Sequence, residues 1–128
     1  MGTRDTTIGR REQLYRDAIR VICTDYANAL TVDDVAHQIA TSRRQLQRVI
    51  AEVGGTTFGQ LLARARMAAA ERLLRDPELP VKEVARRVGY RQPAQFAKSF
   101  RVRYGATPRD YRRVHTNGSR PQELVAER

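Results

Sequence analysis

Residues 42–48 read Ser-Arg-Arg-Gln-Leu-Gln-Arg, and four of their side chains, Arg43, Arg44, Gln47 and Arg48, can hydrogen-bond in pairs. A guanidinium presents two parallel N–H groups that fit guanine O6 and N7, and a glutamine amide matches adenine N6 and N7. On a helix these four point outward while Leu46, Val49 and Ile50 point inward. No acid precedes Glu52 on this stretch, so nothing on its leading half repels a phosphate. The chemistry on offer is recognition of base edges. Arginines on a helix face are often only solvated, so the run needs support from its surroundings.

That support is a repeat. Val35-Ala36-x-x-Ile39-Ala40 matches Val84-Ala85-x-x-Val88-Gly89 at an offset of 49 residues. Beyond the turn, Leu46, Ile50, Gly55 and Thr57 match Phe96, Phe100, Gly105 and Thr107 at an offset of 50. Each copy reads as a helix-turn-helix, whose second helix lies in a major groove. In the second copy the outward positions hold Ala94, Ala97 and Lys98, with Gln95 beside them, a poorer set of base readers. Arg91, Arg101, Arg103, Arg109, Arg112 and Arg113 surround them and suit phosphate better. Ser42, Thr57, Gln92 and Thr107, at helix starts, complete the expected phosphate contacts. The expected division gives the first head more of the discrimination and the second more of the salt-dependent affinity.

The charge follows the same division. The 128 residues carry a formal charge of +10, and residues 79–113 hold ten Lys/Arg against two Asp/Glu. Such a surplus favours a polyanionic partner, and it is not gathered in low-complexity blocks. A single cysteine excludes an internal disulfide and a multi-cysteine zinc site. No apolar run approaches the roughly 20 residues that cross a bilayer. The expectation is a cytoplasmic protein with no membrane partner and no cofactor.

The elements that must position these residues are helices, and no strand is credible. Residues 1–9 lack an apolar period and read as a loose arm. From Arg10 to about Asn28, Leu14, Ala18 and Ile22, then Ile19, Cys23 and Tyr26, make one buried stripe. Thr31 caps a helix from Val32 to about Ala40, with Asp34 three residues on; Ser42 with Gln45 has the form of a capping box for the next. Gly54-Gly55 stops that helix, and Thr57 with Gln60 opens a third to about Asp76, striped by Phe58, Leu62, Ala65, Ala69 and Leu73. At about 28 Å this rod approaches the roughly 34 Å between successive major grooves on one face of a duplex. Helices near 81–88, 93–104 and 108–113 follow, the last opened by Thr107-Pro108. The expected organisation is an arm (1–9), a first subdomain (10–56), a linker helix (57–76), a second subdomain (77–113) and a loose tail (114–128). The fold class is all-α, with about seven helices.

Val84-Ala85-x-x-Val88-Gly89-Tyr90, Phe96-x-x-x-Phe100 and Tyr104-Gly105-Ala106-Thr107-Pro108-x-x-Tyr111-Arg112 resemble the signature of the AraC/XylS transcription regulators. Arg66-Met67-x-x-Ala70-x-x-Leu73-Leu74 resembles the middle helix of that domain, and the likeness covers about residues 12–113. The resemblance implies two helix-turn-helix subdomains on a linker helix, asymmetric promoter sites in double-stranded DNA, and activation through RNA polymerase. It implies base contacts by Arg44, Gln47 and Arg48, and by Ala94, Gln95 and Lys98. Gln92 departs from the Ser, Asp or Asn expected as cap, and Ala94 and Lys98 from commonly polar or Arg positions. The chain resembles the short stand-alone members, or else the DNA-binding half of a longer regulator; two similar heads on one polypeptide suggest binding as a monomer.

Other residues have plainer readings. Cys23, on the apolar stripe, reads as a buried structural thiol. His37 and His115 lack partners at metal-ligand spacing, and Asp33-Asp34 is explained by the cap and the helix dipole. Tyr90, Tyr104 and Tyr111 read as packing, and no constellation of nucleophile, base and metal ligand suggests an enzyme. Two other functions compete with a sequence-specific regulator: a low-specificity architectural DNA-binding protein, and an adaptor acting mainly through polymerase.

Overall fold

The structure is a computed structural model that describes residues 2–116, with side chains described for residues 9–115. These form seven helices and no strand: α1 (Gly2–Asp25), α2 (Val32–Gln38), α3 (Arg43–Gly54), α4 (Phe58–Leu73), α5 (Val81–Arg87), α6 (Pro93–Tyr104) and α7 (Pro108–Thr116). They group into two compact units, Met1–Ala65 and Arg66–Arg128, and the division falls inside α4.

In the first unit, α1 packs on α3 and α2. Its core joins Ala18 and Ile22 of α1 to Val32, Val35, Ala36, Leu46, Ile50 and Leu61, flanked by Tyr15, Ile19, Phe58, Leu62 and Ala65. Cys23 is exposed, contrary to the buried thiol expected. One residue advances a helix by about 100°, so Cys23 is turned away from Ile22, past the edge of what α2 and α3 cover. Helix α1 also begins at Gly2 and not at Arg10. Once the stripe has nucleated a helix, each further residue adds one hydrogen bond at little cost, so polar residues 2–9 continue it without a stripe of their own.

Thr31 and Asp34 cap α2 reciprocally, at 3.1 Å from the Asp34 N–H to Thr31 Oγ1 and 2.9 Å from the Thr31 N–H to the Asp34 carboxylate. Ser42 accepts the Gln45 N–H at 3.0 Å at the start of α3. Helix α3 stops on Gly55, whose φ of 63° is left-handed and favours glycine. Gly54 has a different reason. A Cβ there would lie 2.4 Å from the Tyr15 ring of α1, so the missing side chain is what lets that ring approach.

In the second unit α5 packs on α6, and α6 on α7. Its buried residues are Met67, Ala69, Ala70, Leu74, Val84, Ala85, Val88, Phe96, Phe100 and Pro108. The single stripe expected for α4 missed Leu61, Met67, Ala70 and Leu74, because the two halves of that helix belong to different cores. The helix also ends at Leu73. The Arg75 and Asp76 N–H groups bond three residues back, to Arg72 and Leu73, in a tightened turn ahead of Pro77. Its 16 residues rise about 24 Å, short of the 28 Å expected. Helix α7 runs past Arg113 to Thr116. The rest of the loose tail expected from residue 114 lies outside the described residues.

Candidate nucleic-acid interface

Helix α3 is divided cleanly between its two faces. Leu46, Val49 and Ile50 are fully buried, while Arg43, Arg44, Gln47 and Arg48 are all exposed. Arg43 meets Asp33 of α2, Nε to Oδ1 at 3.5 Å. Arg44 and Arg48 have no ion pair among the described residues. A donor face that is rigid below and unpaired above can hydrogen-bond an incoming partner without first breaking internal contacts.

Helix α6 is laid out alike, with Phe96 and Phe100 buried and Ala94, Gln95 and Lys98 exposed. Gln92 makes no side-chain cap, and Pro93 sits in the first turn, where a missing N–H leaves nothing unsatisfied. Val102, 81% exposed, extends this outer face one turn beyond Lys98. Its four-residue spacing from Lys98 was a legible signal that sequence reasoning passed over.

The basic residues of the second unit have several distinct fates. Arg91, Lys98, Arg101, Arg103 and Arg109 are exposed and lack an ion pair among the described residues. Arg86 and Arg87 pair with Glu83, at 2.5 and 3.0 Å, and their hydrogen bonds hold its carboxyl down at about 2. Arg113 pairs with Asp110 at 2.8 Å. Arg112, expected at a phosphate, is committed elsewhere. Its Nε donates to the Leu74 carbonyl at 2.9 Å, and its Nη2 to those of Asp76 and Leu79 at 3.0 and 2.5 Å. Carbonyls at and beyond a helix C-terminus lack intrahelical donors, and a half-buried cation satisfies them. Arg112 is therefore a clamp on the α4–α5 connection.

Of the helix-start residues, Ser42, Thr57 and Gln92 are exposed and Thr107 is half-buried. Thr57 accepts the Gln60 N–H at 3.2 Å and Thr107 the Asp110 N–H at 3.1 Å. The Gln60 side chain takes the Thr56 hydroxyl at 2.6 Å, so the expected reciprocal box at α4 is replaced by a second contact.

The aromatic residues pack as a chain. Phe100 lies 4.5 Å from Tyr104 and 5.2 Å from Tyr111 between ring centroids, and Tyr90 lies 5.6 Å from Phe96. Their hydroxyls are tethered: Tyr104 donates to the Met67 carbonyl at 3.3 Å, and Tyr111 to Glu71 at 2.7 Å. Burial, then the bond to Glu71, pushes the Tyr111 hydroxyl up to about 12. The same bond, with Arg75, holds the Glu71 carboxyl below its ordinary value. Arg66 lies over the Tyr90 ring, 5.5 Å from its centroid, and burial lowers its guanidinium from its ordinary value.

Among the described residues no cluster of His, Cys, Asp and Glu is placed to hold a metal ion, and no helix is long and apolar enough to cross a membrane. Comparison with known proteins identifies the scaffold. A family model described as a helix-turn-helix domain matches residues 35–114, more than half of the chain. Regulatory protein SoxS of Escherichia coli is 31% identical over 101 residues, which are 79% of this chain and 94% of that protein.

The chain belongs to the AraC/XylS family.

It has the fold of an AraC-type DNA-binding domain. The lactose operon transcription activator of Staphylococcus xylosus is 30% identical over 95 residues, 74% of this chain and 34% of that protein. A solved structure of the DNA-binding domain of AdpA, a global transcriptional factor, in complex with a target DNA superposes with a TM-score of 0.75. Its sequence identity is 29%, over 84% of this chain and 96% of that one. The chain spans only 24–41% of the length of several other curated relatives, all of them regulators by name.

Proposed function

We propose that this regulator binds asymmetric sites in double-stranded promoter DNA as a single copy, with α3 and α6 each entering a major groove. Arg43, Arg44, Gln47 and Arg48 read bases through α3, and Ala94, Gln95 and Lys98 make the sparser contacts of α6. Ser42, Thr57, Arg91, Gln92, Arg101, Arg103, Thr107 and Arg109 hold phosphates. The observation that carries this reading is the division of α3, with four paired-donor side chains exposed above three fully buried residues. The unpaired cations of the second unit support the phosphate assignment, since they need break no internal ion pair to meet a backbone oxygen.

Activation through contact with RNA polymerase is the sign of regulation that the resemblance and the named activator among the relatives support. The test measures affinity for a selected operator and for a scrambled duplex, with and without Arg44→Ala and Arg48→Ala. Wild type prefers the operator, and the double variant loses that preference while keeping most of its affinity for scrambled DNA.

A second reading is favoured by Ala94, whose methyl group offers no hydrogen bond to a base: an architectural protein with little discrimination. Equal wild-type affinity for operator and scrambled DNA would establish it. Operator preference that survives the double variant, with transcription still activated, would favour an adaptor acting mainly through polymerase.

A further inference from the structure

Asp33 and Asp34 stand together at the start of α2, and the structure gives them different work. Asp34 makes both halves of the capping box with Thr31. Asp33 takes no part in the cap and meets Arg43 at the start of α3. Both side chains of that pair are well exposed, at 66% and 61%, so either remains open to an incoming ligand. Of the three candidate base-reading arginines on α3, Arg43 alone is held by an ion pair among the described residues.

The second head lacks this arrangement. Lys82 stands 49 residues on from Asp33, and Pro93 stands 50 on from Arg43. Glu83, the counterpart of Asp34, pairs with Arg86 and Arg87 of its own helix. The first head alone sets a carboxylate against its reading helix.

We infer that Asp33 is a specificity-determining residue that acts by positioning Arg43. This rests on the reading of α3 as the base-reading helix. A guanidinium has more than one hydrogen-bonding edge, so a carboxylate that draws on its Nε side by charge can bias its orientation while another edge meets a base. Fixing the side chain in advance reduces the entropy lost on binding, which helps only where the right base faces it. The negative charge of Asp33 opposes phosphates of every sequence alike. Its cost therefore falls on all DNA and its benefit on one base pair, which raises discrimination.

The test uses the full chain, with affinities for the operator, for scrambled DNA and for operators changed one base pair at a time, each across a salt series. Asp33→Asn tightens binding to scrambled DNA by up to about fivefold, the scale of an exposed pair. It relaxes preference at one base pair, the same pair that Arg43→Ala relaxes. Asp33→Glu retains the preference. In an Arg43→Ala background Asp33→Asn no longer alters preference, and Asp33→Lys steepens the salt slope by about one. The inference is overturned if Asp33→Asn shifts all sequences equally with single-pair preferences intact, or if its effect on preference persists without Arg43. Wild type with no preference for operator over scrambled DNA overturns the base-reading interpretation itself. Preference that is present but indifferent to Asp33 overturns only this inference.

Discussion

Leu46 and Ile50 anchor the reading helix of the first head, and Phe96 and Phe100 anchor that of the second. At the C-terminal end of these helices Gly54 makes room for the Tyr15 ring of another helix. Its counterpart Tyr104 supplies a ring of its own, which packs 4.5 Å from Phe100. In the turn, Ala40 adopts a positive φ of 58° where the second copy has Gly89 at 105°. Outside, the first head shows Arg44, Gln47 and Arg48, and the second Ala94, Gln95 and Lys98 with unpaired arginines around them. One backbone plan thus tolerates an aliphatic or an aromatic interior. The position that every copy must solve is the turn.

A large structural difference is the clamp, by which Arg112 fixes the entry to the second unit's first short helix. Arg112→Ala leaves the carbonyls of Leu74, Asp76 and Leu79 without that donor and should destabilise the second unit by about 2–3 kcal/mol in denaturant unfolding. Arg109→Ala, an exposed neighbour, should change stability by less than about 0.5 kcal/mol. Equal effects would show that Arg112 is no clamp.

Gly54→Ala sharpens the comparison from the other side. Its Cβ meets the Tyr15 ring, which must swing away, and the first unit should lose about 1–2 kcal/mol. Pairing it with Tyr15→Ala removes the obstacle, so the two changes should not be additive; strict additivity would contradict the account.

The turns predict opposite signs. Ala40→Gly relieves a left-handed alanine and should stabilise by about 1 kcal/mol, whereas Gly89→Ala imposes strain and should destabilise by at least that much. Thermal melting of both variants checks the pair.

The smallest effect is a pH dependence that Glu71 and Tyr111 give the second unit. Glu71 has a lowered carboxyl pKa in the fold, so its contribution is complete above the ordinary glutamate value and drains away as pH falls through the lowered one. Tyr111 is raised from 10.0 to about 12, so its contribution is complete below pH 10.0 and is lost as pH rises toward about 12. Tyrosinate absorbance should show Tyr111 ionising late, and Glu71→Gln should bring it earlier by removing the carboxylate's part of the shift.

Much of this was legible in the residues. The repeat, the caps at Thr31, Ser42, Thr57 and Thr107, and the division of α3 follow from local periodicity and hydrogen-bonding chemistry. What was not legible depends on neighbours distant in sequence. Nothing local to Arg112 says that its guanidinium meets carbonyls more than thirty residues away. Cys23 sits at a helical spacing compatible with the stripe, and only the packing of α2 and α3 shows where cover ends. The stripe of α4 was misread because one helix serves two cores. Asp33 was absorbed into the cap, and only the geometry separates it from Asp34.

The central claim is that the first head discriminates and the second head holds. Salt titration of operator and scrambled DNA tests it most directly, comparing Arg44→Ala/Arg48→Ala with Arg101→Ala/Arg103→Ala. The first pair should abolish operator preference, by about 2–6 kcal/mol for two base contacts. The second should weaken both duplexes equally and flatten the salt slope by about two. Operator preference lost with the second pair and kept with the first would contradict the account.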